Sequence, residues 1–294
     1  MSTFDLMSMF AAVMSVLGNN TVISQAVTNR IRLLQSMSLD DIMSSGKSGL
    51  GKNKGILINA YNLFFSDGYT GKMLGKVGLS GFAGNNPECI KRALLGYGIC
   101  RHCFSFLTPW INSIKAWTKN DLILSSGMME KGSVIIDPEK IPSMRYSSHG
   151  DLINKYHLYN YFRIAADNPY TQFALWTKNV QIYHDGLDLF GYKPNNVIVG
   201  FSPINMNVIP SNDALMAAKK QGFDFIFGVN DTYANQEKSL INGGYKCKCG
   251  ENSCGIHCQF CYSAKKRAEL GYNMATDNKA VFISEILDGE RHKE

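Results

Sequence analysis

The sequence predicts an α/β protein of parallel βα units. A partial (β/α) barrel is the architecture those units allow, with a helical N-terminal extension and Cys-rich metal-binding loops. Three observations carry this. Beyond Gly132, short apolar runs alternate with amphipathic stretches of helical length, the pattern of right-handed βαβ crossovers. All eight cysteines fall into two clusters, Cys89 to Cys103 and Cys247 to Cys261. Hydrophobic residues make up 45% and charged residues 18% of the 294 residues, a balance that supports a buried core and excludes wholesale disorder.

Residues 1–55 read as a helical extension and basic linker, and residues 56–294 as an α/β metal-binding domain. In the extension, Phe10, Val13, Met14 and Leu17 recur at helical spacing, as do Val22, Ile23, Val27, Ile31 and Leu34. Thr21 can cap the second helix, and Ser38 with Asp41 forms a capping box with Asp as its third partner. Gly46, Gly51 and Lys52 have the G-x-x-x-x-G-K spacing of a phosphate loop. Asn53 stands where Ser or Thr must bind Mg²⁺, and no apolar strand leads in. A basic solvated linker is therefore expected there.

Residues 56–65 read as a strand or short helix, and Gly68 to Gly84 as a glycine-rich loop that delivers the first cysteines. Residues 109–119 and 120–131 read as two helices. Short strands are expected at 132–136 and 142–146, followed by an amphipathic helix from Asp151 to Asn168. Buried strands at 172–177, 196–201 and 223–229 alternate with helices at 179–190 and 212–222. A helix at 264–270 and a strand or helix at 279–287 complete the chain, and the tail from Asp288 frays.

Cys-x-x-Cys lets two thiolates hold one metal from a tight turn. Here it occurs twice in one extended form: Cys100-Arg-His-Cys103-Phe-Ser and Cys258-Gln-Phe-Cys261-Tyr-Ser. Two such pairs can complete a tetrahedral zinc site, and four thiolates commonly hold an iron–sulfur cluster. The expected metal ligands are Cys89, Cys100, Cys103, Cys249, Cys254, Cys258 and Cys261, with Cys247 left over. His102 and His257 lie inside the motifs as further candidates.

A second stretch, Arg145-Tyr-Ser-Ser-His-Gly-Asp151, falls where a strand ends and a helix begins, the end of the strands where α/β proteins build their sites. Ser147, Ser148, Gly150 and Asp151 are the expected ligand-binding residues. Asp151 can accept hydrogen bonds from an ammonium or hydroxyl, and His149 can move a proton. The plainer alternative makes Asp151 a helix cap and Arg145 its salt-bridge partner. Lys178, at the end of the next strand, faces the same cleft, and Phe201 to Asn205 can line it. His184-Asp185 reads as helix surface.

The spacing Cys254-x₃-Cys258-x-Phe260-Cys261 resembles that of the radical S-adenosylmethionine enzymes. The resemblance implies a [4Fe–4S] cluster held by three cysteines, with S-adenosylmethionine on the fourth iron and a radical generated by its reductive cleavage. In that family the motif lies early, whereas only 33 residues follow Cys261. Cys89, Cys100 and Cys103 have about 190 residues after them, so they are the better-placed three-cysteine set. Cys249, Cys254, Cys258 and Cys261 would then form an auxiliary site.

Several segments together resemble a phage and prophage family known as gene product eighty-eight: Asn86-Pro-Glu-Cys89, Gly98-Ile-Cys-Arg-His-Cys-Phe-Ser105, Arg145 to Leu152, Asn168-Pro with Phe173 to Lys178, and Cys249 through Tyr262. Departures are Phe104, where tyrosine commonly stands, and the extended first 85 residues. The resemblance implies a phage-encoded protein in a bacterial host cytoplasm.

The expected function is that of an iron–sulfur protein acting like a radical S-adenosylmethionine enzyme on a nucleotide or other small molecule. The alternative is a zinc-stabilised nucleic-acid-binding or interaction protein. Its support is the net charge of +6 and the basic runs Lys47 to Lys54 and Lys265 to Arg267. No membrane partner is expected, because no apolar run approaches the roughly 20 residues that span a bilayer. Met7 to Leu17 is short, follows Asp5 without a Lys or Arg, and lacks a small-residue cleavage site, so it does not read as a signal peptide. A reducing cytoplasm, where clustered cysteines bind metal, is the expected compartment.

Overall fold

The structure, a computed structural model, describes residues 22–45, 55–67, 76–107, 110–241, 244–247, 260–262, 264–272 and 279–286. The expected helix around Phe10, most of the basic linker with its G-x-x-x-x-G-K spacing, and Cys249, Cys254 and Cys258 lie outside these residues.

The described strands are β1 (Ile56–Asn59), β2 (Phe65–Asp67), β3 (Val77–Leu79), β4 (Val134–Ile136), β5 (Ser143–Tyr146), β6 (Gln172–Thr177), β7 (Val197–Phe201), β8 (Phe225–Asn230), β9 (Tyr245–Lys246) and β10 (Val281–Ile286). Eight of them form one sheet in the order β2-β3-β5-β6-β7-β8-β10-β9. Only β2 runs antiparallel to its neighbour; β3 through β9 pair in parallel. From β3 to β8 the spatial order follows the chain without reversal.

The described helices are α1 (Val22–Gln35), α2 (Leu39–Ser44), α3 (Pro87–Leu94), α4 (Phe104–Leu107), α5 (Ile111–Ser126), α6 (Lys155–Asp167), α7 (Val180–Phe190), α8 (Asn212–Lys220), α9 (Tyr233–Ser239) and α10 (Ala264–Glu269). Side-chain oxygens satisfy backbone N–H groups that helix starts leave unpaired. Ser38, Asn154, Ser211 and Thr232 do so at α2, α6, α8 and α9.

The two faces of the sheet differ, as the period-2 alternation of strand side chains requires. Met144, Tyr146, Phe173, Leu175, Val197, Val199 and Ile226 face α5 to α8 and pack with Leu124, Leu158, Phe162, Tyr183 and Leu215. Ala174, Ile198, Phe225, Val281 and Ile283 face the other way and pack against Phe260, Cys261 and Tyr262. With both faces covered, β6, β7 and β8 are almost continuously apolar. A third cluster joins the N-terminal helix to the cysteine segment. Val27, Ile31 and Leu34 of α1 meet Phe82, Ile90, Phe106 and Trp117, with Cys89 and Cys103 packed alongside. Among the described residues no helix is long and apolar enough to cross a membrane.

Several expectations are corrected. The glycine-rich stretch contains β3, the first parallel strand, which is only three residues long. Residues 109–131 do not form two helices, because α5 runs unbroken from Ile111 to Ser126. Asn120 does not interrupt it, because its buried side chain bonds the backbone of Phe64 and Ser80. β4 is not part of the parallel array; it pairs with β1 in a separate antiparallel ladder. Asp151 caps no helix. α6 begins at Lys155 with Asn154 as its cap, its side-chain oxygen 3.1 Å from the His157 N–H. Within the stretch expected as a strand or helix, Val281–Ile286 form the strand β10, and α9 and β9 were not expected.

Candidate functional site

The loops that follow β3, β5, β6 and β7 converge, and the upstream cysteines lie among them. After β3 the chain turns through a 3-10 segment to Asn86, which caps α3. Its side-chain oxygen accepts from the N–H groups of Glu88 at 3.0 Å and Cys89 at 3.3 Å, and Pro87 takes the first helical turn. Cys89 is thereby fixed in that turn. The Asn86 amide also donates to the carbonyls of Asp151 and Leu152, at 3.2 and 2.9 Å. One buried side chain thus ties the cysteine helix to the loop after β5.

The far end of the segment is held differently. Residues Gly98–His102 form a second 3-10 turn that carries Cys100, and Cys103 closes it. The Ile99 N–H donates to the Ile204 carbonyl at 2.9 Å, in the loop after β7. Gly98 has φ +41°, and a Cβ there would stand 1.9 Å from that same carbonyl oxygen. Only glycine tolerates both the backbone angle and the approach.

Asp151 is buried between the loops. Its carboxylate accepts from the Leu152 N–H at 2.7 Å, the Thr177 hydroxyl at 2.7 Å and the Lys178 N–H at 3.0 Å. Asn179 adds a second tie. It donates to the Leu152 carbonyl at 2.9 Å and accepts from the Arg92 guanidinium at 2.7 Å. Asp151 therefore acts as a three-way junction, in place of the ion pair with Arg145 that the sequence allowed. Arg145 lies over the Trp176 ring, 4.2 Å from its centroid.

The electrostatics of the three thiols follow from this crowding. Burial pushes the Cys89 thiol well above its ordinary value, and the charges of Asp151, Cys103 and Cys100 act the same way while Lys178 opposes them. Burial also raises Cys100, with Cys103 and Asp151 acting in the same sense and Lys178 and Arg92 opposing. Burial raises Cys103 as well, against the N–H groups of Ser105 and Phe106 and the Lys178 charge. The three thiols thus sit in one another's field, with Lys178 as the cation common to all. Burial keeps these thiols protonated, and a thiophilic cation would offset the charge they take on when they ionise. As they stand, no three His, Cys, Asp or Glu side chains among the described residues, these three thiols included, are grouped so as to hold a metal ion.

His149 stacks on Trp117 at 4.0 Å and meets Phe104 edge-on at 5.0 Å, by ring centroid. Burial and the Arg145 charge lower its pKa to about 3. It is therefore neutral across ordinary pH, an aromatic hydrogen-bonding group ill suited to carrying protons. Ser147 adopts φ +49°, and its hydroxyl is turned to Tyr161 at 3.2 Å. Gly150, at φ +75°, lets the loop pass against the backbone of Gly81 and Phe82. The Ser148 N–H donates to the Ser80 hydroxyl at 3.1 Å.

Comparison with known proteins returns no match: no family model, no curated protein and no solved structure is significantly similar to the chain. The site therefore rests on its own geometry.

Cys261 stands apart from the strand-end loops. It is buried against the face of the sheet with Ala174, Ile198 and Phe225, and Cys247 packs against the same cluster. The neighbouring Phe260 stacks on Tyr245 at 3.9 Å, and its carbonyl accepts from Arg267 at 3.0 Å. Thr177, expected with Lys178 at the strand end, does reach the site; the residues that sequence reasoning missed are Asn86, Arg92, Asn179 and Asp121. Asp121 accepts from the Phe82 N–H at 2.7 Å and the Asn85 amide at 2.6 Å, and burial lifts its carboxyl to about 7. Asn86-Pro87 was readable as a cap followed by a first-turn proline; the others gain their roles only from tertiary placement.

Proposed function

We propose that the chain is an iron–sulfur enzyme of the radical S-adenosylmethionine kind, built on a partial (β/α) barrel. Cys89, Cys100 and Cys103 hold its principal cluster. The carrying observation is that one segment after the first parallel strand puts three thiols in one another's field, beside Lys178 and Asp151. The strand order supports the barrel reading, because β3 to β8 lie side by side in chain order. Three thiolates on a [4Fe–4S] cluster leave one iron open to a small ligand, for which S-adenosylmethionine is the candidate. When bound, such a cluster supplies one electron to that ligand.

The chain's own residues have distinct tasks in this reading. Asn86 and Gly98 fix the two ends of the cysteine segment. Lys178 offsets thiolate charge. Asp151 holds the loops after β5 and β6 in register, so that the Ser148–Gly150 backbone can meet the ligand. His149 contributes a neutral ring beside Phe104 and Trp117. Cys249, Cys254 and Cys258, with Cys261, hold a second, auxiliary centre. The substrate is a nucleotide or another small molecule, and a bacterial host cytoplasm is the compartment that the resemblance to the phage family would imply.

The zinc-stabilised nucleic-acid-binding reading comes second. Of its basic run Lys265 to Arg267, Arg267 is buried and bonded to Phe260, so part of the expected cationic surface serves the core. Anaerobic purification separates the readings. Brown protein with iron, sulfide and absorbance near about 400 nm is the expected result. Colourless protein with stoichiometric zinc would overturn the iron–sulfur proposal.

A further inference from the structure

Three buried polar atoms at or just beyond the ends of β5 and β6 have no hydrogen-bond partner among the described residues. They are the Ser148 hydroxyl, the His149 Nδ1 and the Trp176 indole N–H. Buried polar groups are nearly always paired, so orphans at the ends of two neighbouring strands call for an explanation such as a ligand or ion. The Trp176 group can only donate, and the Ser148 hydroxyl can donate.

Their surroundings are positive. The Arg145 guanidinium lies 4.2 Å from the Trp176 ring centroid and contributes to holding His149 neutral. On the same side of the sheet, Lys76 bonds the Ser143 hydroxyl and lies 4.8 Å from the Tyr262 ring centroid. Gly78 pairs with Arg145 across β3 and β5 and brings no side chain between them. A Cβ at Gly78 would stand 3.2 Å from the Ser148 oxygen, so that hydroxyl overhangs the strand beside Arg145. Trp176 flanks Arg145 on its other side. Donors and positive charge thus frame one strip of the sheet.

We infer that Arg145, Ser148 and Trp176 form a subsite for the anionic group of a small-molecule ligand, a phosphate or a carboxylate. Arg145 supplies charge, and Ser148 and Trp176 supply directed hydrogen bonds. The subsite names the substrate class of the proposed enzyme and rests on that reading only for what happens to the bound molecule. Binding itself is independent of metal.

Calorimetric titration of the full chain with inorganic phosphate, and separately with succinate, tests this. The metal content of each preparation is measured alongside. One saturable site per chain is expected for at least one of the two anions, and the arm that binds identifies the group. Trp176→Phe keeps the ring and removes the N–H, and Ser148→Ala removes the hydroxyl. Each should weaken binding roughly tenfold, the usual effect of losing a hydrogen bond to a charged group, with unchanged circular dichroism. Binding should persist in Cys100→Ala/Cys103→Ala, so failure of the metal reading leaves the subsite standing. Absence of saturable binding for both anions, or binding unaffected by both single substitutions, overturns the inference.

Discussion

Two segments of this chain are close copies in sequence and opposites in structure. Cys100-Arg-His-Cys103-Phe-Ser and Cys258-Gln-Phe-Cys261-Tyr-Ser share their spacing, their aromatic residue and their serine. Around the first, Phe104 is exposed, and the thiols meet Lys178, Arg92 and Asp151. Around the second, Phe260 is fully buried, Tyr262 nearly so, and Cys261 packs among apolar side chains. A short motif sets which thiols can share a turn. The strand end or sheet face it meets sets whether those thiols lie among the polar loops or pack against apolar side chains.

The largest effect should come from the pin at the end of the upstream segment. Gly98→Val adds a side chain against the Ile204 carbonyl at a backbone angle that valine resists. A loss of about 4 kcal/mol in urea unfolding is expected, or local detachment of the segment seen as fast amide exchange at residues 98–103. Wild-type behaviour in both measurements would show that the contact with the β7 loop does not hold the segment.

Asp151→Ala should cost about 3 kcal/mol, because it strands the Thr177 hydroxyl and two backbone N–H groups. Asp151→Asn isolates the charge. Removing that negative charge should lower the Cys89 pKa and speed its alkylation in metal-free protein at pH 8, since Asp151 raises it now. The alkylation rate of Cys261, in its apolar cluster, should stay as it was.

pH offers a third contrast. His149 has its pKa depressed to about 3 in the fold. Below its unfolded value of about 6.5 the unfolded chain takes up a proton that the folded chain refuses. His149 therefore costs stability progressively as pH falls from about 6.5 towards 3, by about 1.4 kcal/mol per unit. His149→Phe should remove that slope. His157, also depressed to about 3, should keep its own. Identical acid limbs in wild type and variant would contradict the assigned burial of His149.

The smallest effects belong to the basic run beside the downstream segment. Arg267→Ala should cost about 2 kcal/mol, because the guanidinium is buried and bonded to the Phe260 carbonyl. Lys266→Ala loses an exposed pair with Glu269 and should cost under about 0.5 kcal/mol. Equal losses would remove the distinction between core and surface within this run.

Much of the fold was legible because periodicity and burial agree. β6, β7 and β8 read as apolar runs, and α6 and α7 as amphipathic stretches, since each strand has two covered faces and each helix one. What was missed has local causes. β3 is three residues in a glycine-rich stretch, and its pairing, not its composition, makes it a strand. α9 has no apolar stripe; it meets the sheet through Gln236 and Ser239, which bond Ser284 at 3.0 and 2.6 Å. The site was legible as residue types, thiols and a Ser-Ser-His-Gly-Asp turn. The role of Asp151 was not, because its partners Thr177 and Lys178 come from another strand.

The central claim is that the upstream thiols, and not Cys261 alone, hold metal. Iron, sulfide and zinc per chain, measured on anaerobically purified wild type, Cys100→Ala/Cys103→Ala and Cys261→Ala, test it most directly. The account predicts that the upstream double variant keeps its circular dichroism and loses at least half of the bound iron and sulfide. In Cys261→Ala the upstream centre should persist. Wild-type iron and sulfide in the upstream double variant would contradict the account.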